Sequence, residues 1–362
     1  MVLENKIIQA SGNMARMSAL GARWWNDSCD LRELAEAVEN GAVGATSNPV
    51  IVSAAIEGDR DRWIPVIREL IQESPSAIED EIAWKLIAEI GRRAAAILRP
   101  TFEASGGENG FLSVQVNPKF YPCSERMTNH GVELASLAPN IAIKVPATAA
   151  GLQTIHALTA KGIRVNVTVS FSVAQAVAAA EAIECGLKQA ERAGLDTRRQ
   201  RPYVTLMEGR LDDQLKRAGE RDRLVVNHDA LEWAGVAVFK KAAGIFVARG
   251  YRSTLLAAAY RNPQQWSEII GAEVLQSIPY TKWKEYDASA VELRRTIDLA
   301  VDERIIAELS AKFPDFNRAY QENGLALEEF ANFEATRHTL LQFNNGYAQL
   351  LGVIRQEMLR EQ

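Results

Sequence analysis

The sequence has few of the residues that build metal centres or disulfide frameworks. Its three cysteines, Cys29, Cys123 and Cys185, are far apart and form no CxxC pair, which favours neither a disulfide framework nor a zinc knuckle. The four histidines are equally dispersed and show no metal-binding cluster. They are His130, His156, His228 and His338. We therefore expect no metal, and a reducing cytoplasm fits best.

A surplus of positive charge is also missing. The formal net charge is -5, so the chain has no basic excess with which to hold a nucleic-acid backbone. No apolar run reaches membrane-spanning length. The N-terminal sequence MVLENKIIQASGNMARMSALGARWW lacks the basic start, apolar stretch and small-residue cleavage site of a secretory signal. We expect a soluble protein with no nucleic-acid or membrane partner.

What is present is an ordinary globular composition of 362 residues, with 47% hydrophobic and 24% charged residues. Eight apolar, β-branched runs end in turn or polar residues and predict strands. They are ARWWND from Ala22, AVGATSNP from Ala42, FLSVQVNP from Phe111, IAIKVPA from Ile141, RVNVTVSF from Arg164, YVTLMEGR from Tyr203, STLLAAAYRN from Ser253 and EVLQSIPY from Glu273. The alanines of STLLAAAYRN are also compatible with a helix.

Amphipathic stretches between these runs predict helices. Examples are Leu31 to Glu39, Ala77 to Leu98, Ala149 to Ala160 and Ser172 to Ala193. Eight strands that alternate with helices favour a closed (β/α)8 barrel, although an open doubly wound sheet remains an alternative. The GxGxxG signature of that alternative does not follow the first strand. We interpret residues 1–362 as one barrel domain, with residues 289–362 as a helical C-terminal extension packed on it.

Polar residues late in these strands are candidates for a site, because barrel enzymes react where the strands end. Lys144 stands out, since it lies in the apolar run IAIKVP. Burial lowers the pKa of a lysine, and a neutral amine attacks carbonyl carbons to form a Schiff base. The alternatives are a lysine that reaches the rim of the barrel or one that pairs with Asp27 for structure.

The other candidates each have a structural alternative. Asp27 is either functional or the cap of the next helix, a role for which Asp30 competes. Asn48 precedes Pro49 and fits a turn. Arginines at a barrel mouth bind phosphate, but surface arginines are common. The remaining candidates fit core polar positions as well as a site. The full set is Asp27, Ser47, Asn48, Gln115, Lys144, Asn166, Thr168, Arg210 and Arg261.

Taken together, these segments resemble the transaldolase family. The motifs are NDSCDL at Asn26, GATSNP at Gly44, VQVNP at Val114, IKVPAT at Ile143, GIRVNVTVSFS at Gly162, GRLDD at Gly209, WAGVAVFKKA at Trp233 and AAAYRN at Ala257. The resemblance covers roughly residues 22 to 282. It implies transfer of a dihydroxyacetone unit, without a cofactor, from a ketose phosphate such as fructose 6-phosphate or sedoheptulose 7-phosphate to an aldose acceptor, within the pentose phosphate pathway.

The resemblance also implies roles for individual residues. Lys144 forms the Schiff base, Asp27 moves the proton of the C4 hydroxyl, and Thr168 holds a water molecule. The dihydroxyacetone hydroxyls bind Asn48 and Asn166 beside Ser47, and the phosphate binds Arg210 and Arg261. A homodimer formed through outer helices is one arrangement for such a barrel.

Three positions depart from the family pattern. Gln115 stands where transaldolases usually carry glutamate, and glutamine there is typical of the related fructose 6-phosphate aldolases. Met207 replaces a phenylalanine of transaldolases or a tyrosine of the aldolases. Ala259 replaces a serine of the phosphate site. A lyase that cleaves fructose 6-phosphate is therefore the main alternative, followed by a sugar-phosphate-binding protein without activity.

Overall fold

Eight parallel strands form a closed barrel in the computed structural model, which describes residues 12–360. The strands are β1 (Arg23–Asn26), β2 (Gly44–Thr46), β3 (Phe111–Gln115), β4 (Ile141–Pro146), β5 (Val165–Thr168), β6 (Tyr203–Met207), β7 (Thr254–Ala258) and β8 (Val274–Ile278). They pair in sequence order, and β1 closes the barrel on β8 with Asn26 opposite Ile278. The predicted barrel is confirmed, the open sheet is excluded, and STLLAAAYRN contains a strand.

Helices follow the strands as predicted and surround the barrel. They are α1 (Asn13–Ala19), α2 (Leu31–Glu39), α3 (Pro49–Gly58), α4 (Arg60–Glu73), α5 (Glu79–Ala104), α6 (Ser124–Ala135), α7 (Ala149–Ala160), α8 (Val173–Arg192), α9 (Glu208–Arg221), α10 (His228–Leu231), α11 (Ala234–Arg249), α12 (Gln264–Ser267), α13 (Tyr280–Asp287), α14 (Glu303–Lys312), α15 (Pro314–Tyr320) and α16 (Glu334–Met358). Short 3₁₀ turns occupy Pro118–Phe120 and Leu327–Glu329.

The inside of the barrel changes character from one end to the other. At the amino ends of the strands, Trp25, Phe111 and Tyr203 meet in one apolar cluster. The rings of Trp25 and Tyr203 lie 4.6 Å apart although they belong to β1 and β6, so this cluster fills the barrel axis. Two residues further along several strands the inward positions become polar, as at Ser113, Lys144 and Thr205, which places the polar end of the interior toward the carboxyl ends of the strands.

The C-terminal extension is less continuous than its sequence predicts. The charged pattern from Ser289 onward predicts helices throughout, but residues 288–302 contain no helix, and the helical part consists of α14, α15 and α16. Helix α14 ends just before Pro314, and Gly324 lies in the segment that separates α15 from α16. The last two residues, 361–362, lie outside the described part of the chain. The interpretation of the whole chain as one domain stays a prediction.

Helix α16 lies across the mouth of the barrel and is anchored to several of the helices around it. Its hydrogen bonds join Ser53 Oγ to the carbonyl of Gly346 (3.0 Å), Gln175 Nε2 to Thr336 Oγ1 (3.3 Å), the N–H of Ala335 to Gln214 Oε1 (2.9 Å) and Tyr347 OH to Asp80 Oδ1 (2.9 Å). These partners belong to helices that follow β2, β5 and β6. The helix therefore forms one wall of the mouth.

Among residues 12–360, the structure contains no helix with the length and apolar character needed to cross a membrane. The sequence predicts that the N-terminal segment is not a secretory signal. Residues 1–11 of that segment lie outside the described residues.

Candidate active site

Lys144 lies in a polar layer of the barrel interior. In strand register it is opposite Gln115 on β3 and Asn166 on β5. The side chain is buried, and its Nζ atom donates a hydrogen bond to Oγ1 of Thr46, 2.9 Å away. Burial and, to a smaller extent, the charge of Arg210 lower the pKa of Lys144 to about 8. The attraction of Asp27 opposes this shift. About a tenth of the side chains are then neutral at pH 7, enough to supply a nucleophilic amine.

Asp27 is held at the mouth by the closure of the barrel. It follows β1 directly, and its N–H donates to the carbonyl oxygen of Ile278 at 2.9 Å. Burial of the carboxyl raises the pKa of Asp27, and the positive charges of Lys144 and Arg210 oppose this shift. A cleft of about 550 Å³ beside Asp27 extends between α2, α3 and α13, and Lys144 does not line it. A carboxyl with a raised pKa next to a cation suits a group that accepts and returns a proton.

The capping alternative for Asp27 is settled by its neighbour. Asp30 is the N-cap of α2, and its Oδ1 atom accepts from the N–H groups of Arg32 at 2.9 Å and Glu33 at 3.0 Å. The carboxyl of Asp27 is therefore not used to begin that helix.

Asn166 is fixed between two hydroxyl groups of the same interior layer. Its Nδ2 atom donates to Ser113 Oγ at 3.0 Å, and its Oδ1 atom accepts from Thr205 Oγ1 at 2.7 Å. These two bonds determine which way the amide faces. The second N–H of Nδ2 stays available as a donor.

Thr168 and Gln115 occupy the same end of the barrel. Thr168 is fully buried, and its hydroxyl lies 3.8 Å from the sulfur of Met207. Gln115 is also buried, and its Oε1 atom has no hydrogen-bond partner among residues 12–360. A buried amide oxygen without a partner is costly, so this position is suited to bind a polar ligand atom or a water molecule.

The loop after β2 contributes differently from what its motif suggests. Ser47 Oγ donates to the carbonyl of Ser113 at 3.1 Å, which ties the hydroxyl to the backbone of β3. Asn48 caps α3, because its Oδ1 atom accepts from the N–H groups of Val50 (2.9 Å) and Ile51 (3.0 Å). The Nδ2 group of Asn48 takes no part in this cap and can donate to another group. The residue that accepts the hydrogen bond of Lys144 is Thr46, the last residue of β2 itself.

The two arginines lie just past the strands to which the sequence assigns them. Arg210 lies in the first turn of α9, because β6 ends at Met207 and the helix starts at Glu208 without a loop. Arg261 lies in the loop after β7, which ends at Ala258. Asp27 likewise follows its strand by one residue. Each correction is a shift of one to three residues at a carboxyl end, and all three side chains remain at the mouth.

Gly209 brings the two arginine loops together. A Cβ atom on Gly209 would lie 2.1 Å from the carbonyl oxygen of Ala259 and 2.6 Å from Cγ of Arg261. No side chain fits at such distances, so glycine is required where α9 starts against the loop after β7. The turn is unusual at Ala259 too, where φ is +68° in a residue with a side chain.

Arg210 has more free hydrogen-bonding capacity than Arg261. Arg261 is engaged by Asp213, with 2.9 Å between Nη2 and Oδ2, and by the carbonyls of Ala259 and Tyr260 at 3.1 Å. The Nε atom of Arg210 is buried and has no acceptor in the described part of the chain. Burial and the nearby charge of Arg261 lower the pKa of Arg210 to about 10. Two close cations with a free donor are suited to binding an anion.

Sequence reasoning missed three hydroxyl residues that organise this site: Thr46, Ser113 and Thr205. Each lies on an inward position of its strand, at even spacing from another inward residue. The alternation of side chains along a strand was the available signal, since Ser113 is two residues before Gln115 and Thr205 two before Met207.

Comparison with known proteins identifies related sequences. The family described as Transaldolase/Fructose-6-phosphate aldolase matches residues 24–352. A transaldolase of Thiobacillus denitrificans is 30% identical over 337 residues, which cover 83% of this chain and 89% of that protein.

Two further similar proteins are matched over shorter regions. A transaldolase of Mycobacterium ulcerans is 31% identical over 232 residues, which cover 60% of this chain and 61% of that protein. Transaldolase 1 of Streptomyces avermitilis is 28% identical over 267 residues, 70% of each chain. The chain thus spans about three fifths of the mycobacterial relative that it matches.

Proposed function

This chain belongs to the transaldolase/fructose-6-phosphate aldolase family, and we propose that it is a transaldolase that moves a dihydroxyacetone unit between sugar phosphates through a Schiff base on Lys144. The observation that carries the proposal is the buried amine of Lys144, with a pKa of about 8, beside the carboxyl of Asp27. Burial in the apolar part of a strand lowers the pKa of a lysine and so supplies the neutral amine that attacks a carbonyl.

The reaction that we propose begins at Lys144. The neutral Nζ atom attacks the C2 carbonyl of the ketose, and loss of water gives an iminium ion. Asp27 removes the proton of the C4 hydroxyl, the C3–C4 bond breaks, and its electron pair moves to the iminium nitrogen to form an enamine. The shortened aldose leaves.

The second half reverses these steps with another aldose. The enamine carbon attacks the aldehyde of the acceptor, whose oxygen takes the proton from Asp27. Water then adds to the new iminium, and the product ketose is released from Lys144. Proton and electron pair are both conserved, so this proposed sequence needs no redox cofactor.

The remaining side chains have binding roles in this proposal. Asn166 and Asn48 bind the dihydroxyacetone hydroxyls beside Ser47, while Thr168 and Gln115 hold the water that is released when the iminium forms and that later hydrolyses it. Arg210 and Arg261 bind the phosphate. The support is their common position at the carboxyl ends of the strands around Lys144.

A second candidate function, cleavage of fructose 6-phosphate without an acceptor, is favoured by one observation. Gln115 offers an amide, which cannot accept a proton as the glutamate usual in transaldolases can. Its unpartnered Oε1 atom lies in the interior layer with Lys144. If this candidate is correct, dihydroxyacetone is released rapidly when fructose 6-phosphate is the only substrate.

Reductive trapping tests the proposal. The protein is incubated with fructose 6-phosphate and borohydride, and masses are measured for the intact chain and its peptides, with Lys144→Ala as the control. We expect a sugar-derived adduct on the peptide that contains Lys144 and none in the variant. Absence of an adduct across a panel of ketose phosphates would contradict the proposal. Product formation with and without an aldose acceptor then separates transfer from cleavage.

We further propose that the enzyme acts in the cytoplasm and forms a homodimer through its outer helices. The dispersed cysteines support the first statement and the precedent of such barrels the second. Sedimentation at several protein concentrations measures the oligomeric state, and a monomer at all of them would contradict the dimer.

A further inference from the structure

The C-terminal helix brings a polar side chain to the anion-binding arginines. Gln342 of α16 accepts a hydrogen bond through Oε1 from Nη1 of Arg210, across 132 residues of sequence. The guanidinium of Arg210 also lies 5.8 Å from the ring centre of Phe343, the next residue of the helix. Gln342 itself is exposed to solvent at the mouth.

The position of Gln342 is fixed by close packing one turn further along the helix. A Cβ atom on Gly346 would lie 2.7 Å from Cγ2 of Val50 and 3.0 Å from its nitrogen, so α16 rests directly on the first turn of α3. The hydroxyl of Ser53 binds the carbonyl of Gly346 at 3.0 Å. The helix is therefore a packed wall of the mouth, and residues one turn before Gly346 are held against Arg210.

The hydrogen bonds of the two arginines show where a ligand has to bind. Arg261 is engaged by a full carboxylate, Asp213, and by two backbone carbonyls. Arg210 has only a neutral amide at Nη1, and its Nε atom has no acceptor among the described residues. A neutral acceptor is displaced from an arginine by a phosphate more readily than a carboxylate is.

We propose that Gln342 is a specificity-determining residue that binds the phosphate end of the sugar together with Arg210. Without ligand, its Oε1 atom accepts from Arg210. When a phosphate replaces Oε1 as the acceptor of the Arg210 guanidinium, the Nε2 group of the same amide donates to a phosphate oxygen. The amide of Gln342 thus accepts from Arg210 when no ligand is bound and donates to the phosphate when one is bound. This inference rests on the proposed function for the identity of the sugar.

The first test compares Gln342→Ala and Gln342→Glu with the unchanged protein. We expect the KM for fructose 6-phosphate to rise roughly three- to tenfold in Gln342→Ala and at least tenfold in Gln342→Glu, whose carboxylate repels the phosphate. The kcat should change less than twofold, and turnover of unphosphorylated fructose should be unaffected. Gln349→Ala, an exposed glutamine two turns further along α16, is the matched control and should leave all constants unchanged.

A double-mutant cycle separates binding from a merely structural effect. In an Arg210→Ala background, Gln342→Ala should add less than a twofold change to the KM, because the two residues act on one phosphate. Equal effects in both backgrounds, or equal losses for phosphorylated and unphosphorylated sugars, would overturn the proposal.

Inorganic phosphate provides a test that does not depend on catalysis. Phosphate should raise the thermal midpoint of the unchanged protein and of Gln349→Ala, and this shift should be lost in Gln342→Glu. If the shift behaves so while borohydride traps no adduct on Lys144, the anion site stands and the transaldolase proposal fails. If trapping succeeds and the phosphate shift does not depend on Gln342, only the inference about Gln342 fails.

Discussion

The amine of Lys144 and the hydroxyl of Thr46 form a hydrogen bond of 2.9 Å between β4 and β2. Because the two strands are not neighbours in the sheet, this bond crosses the inside of the barrel. It fixes the Nζ atom at a defined height in the interior, and its hydroxyl acceptor favours the charged form of the amine.

Replacement of Thr46 by valine keeps the shape of the side chain and removes this acceptor. The pKa of Lys144 should then fall below about 8, so adduct formation should reach half of its maximum at a lower pH. Its maximal rate should fall roughly tenfold, because the amine is no longer oriented. Trapping with borohydride between pH 6 and 9 measures both quantities. Thr46→Ser should behave like the unchanged protein, and an unaltered pH profile in Thr46→Val would contradict the role of the bond.

Asp27→Asn separates formation of the Schiff base from cleavage of the sugar. Loss of the negative charge removes the attraction that raises the pKa of Lys144, so the pH profile of trapping should move to lower pH. Transfer should slow by roughly 10²- to 10⁴-fold, since no group accepts the C4 proton. The comparison is between trapped adduct and product formed in the same samples. Loss of both activities together, or of neither, would show that Asp27 has another role.

Glu208 is a buried carboxyl that the proposed reaction does not use. Both of its side-chain oxygens lack a partner in the region that the structure covers, and burial raises its pKa well above the ordinary value, with Asp212 adding to the shift. Below pH 4.5 the folded and unfolded chains both hold this proton. Above pH 4.5 the unfolded chain loses the proton while the folded chain keeps it, so stability is lost as the pH rises through the folded-state pKa.

We therefore expect Glu208→Gln to increase the free energy of unfolding by roughly 1–3 kcal/mol at pH 7 and by less at pH 4.5. Urea unfolding at the two pH values measures this difference. Glu220→Gln, an exposed position on the same helix, should change stability by less than about 0.5 kcal/mol. An equal effect of Glu208→Gln at both pH values would argue against a carboxyl that is protonated in the fold.

Gly209→Ala tests the contact that brings the arginine loops together. The added methyl would lie 2.1 Å from the carbonyl of Ala259, so the start of α9 has to move. We expect a loss of about 1–3 kcal/mol in unfolding free energy and a higher KM for phosphorylated sugars. Gly244→Ala is the matched control, because its Cβ would meet open space within α11. It should stabilise the protein by up to about 1 kcal/mol.

The barrel was predictable because parallel strands covered on both faces become apolar, β-branched runs. The amphipathic stretches between them predicted the helices, because each helix buries one face against the barrel. The carboxyl ends were less predictable. YVTLMEGR continues to Arg210 in pattern, yet β6 ends at Met207 because α9 starts immediately, and a polar residue after a strand is equally compatible with strand, loop or helix.

The candidate site could be predicted in composition but not in its contacts. Asp27 and Asp30 both fit a helix cap, and only the backbone path gives that role to Asp30. Ser47 and Thr46 are adjacent hydroxyl residues, and the alternation of the strand decides which one meets Lys144. Gln342 carries no local signal at all, since its contact with Arg210 depends on how α16 docks on the rest of the chain.

The bond from the N–H of Asp27 to the carbonyl of Ile278 has a consequence for how the protein acquires its chemistry. It joins the first strand to the last, so it forms only when nearly the whole barrel sequence is available, and such long-range contacts are slow steps in folding. Until then Lys144 is surrounded by water and has the basicity of any lysine. The lowered pKa of Lys144 is thus a property of the completed fold, because only there is the amine buried.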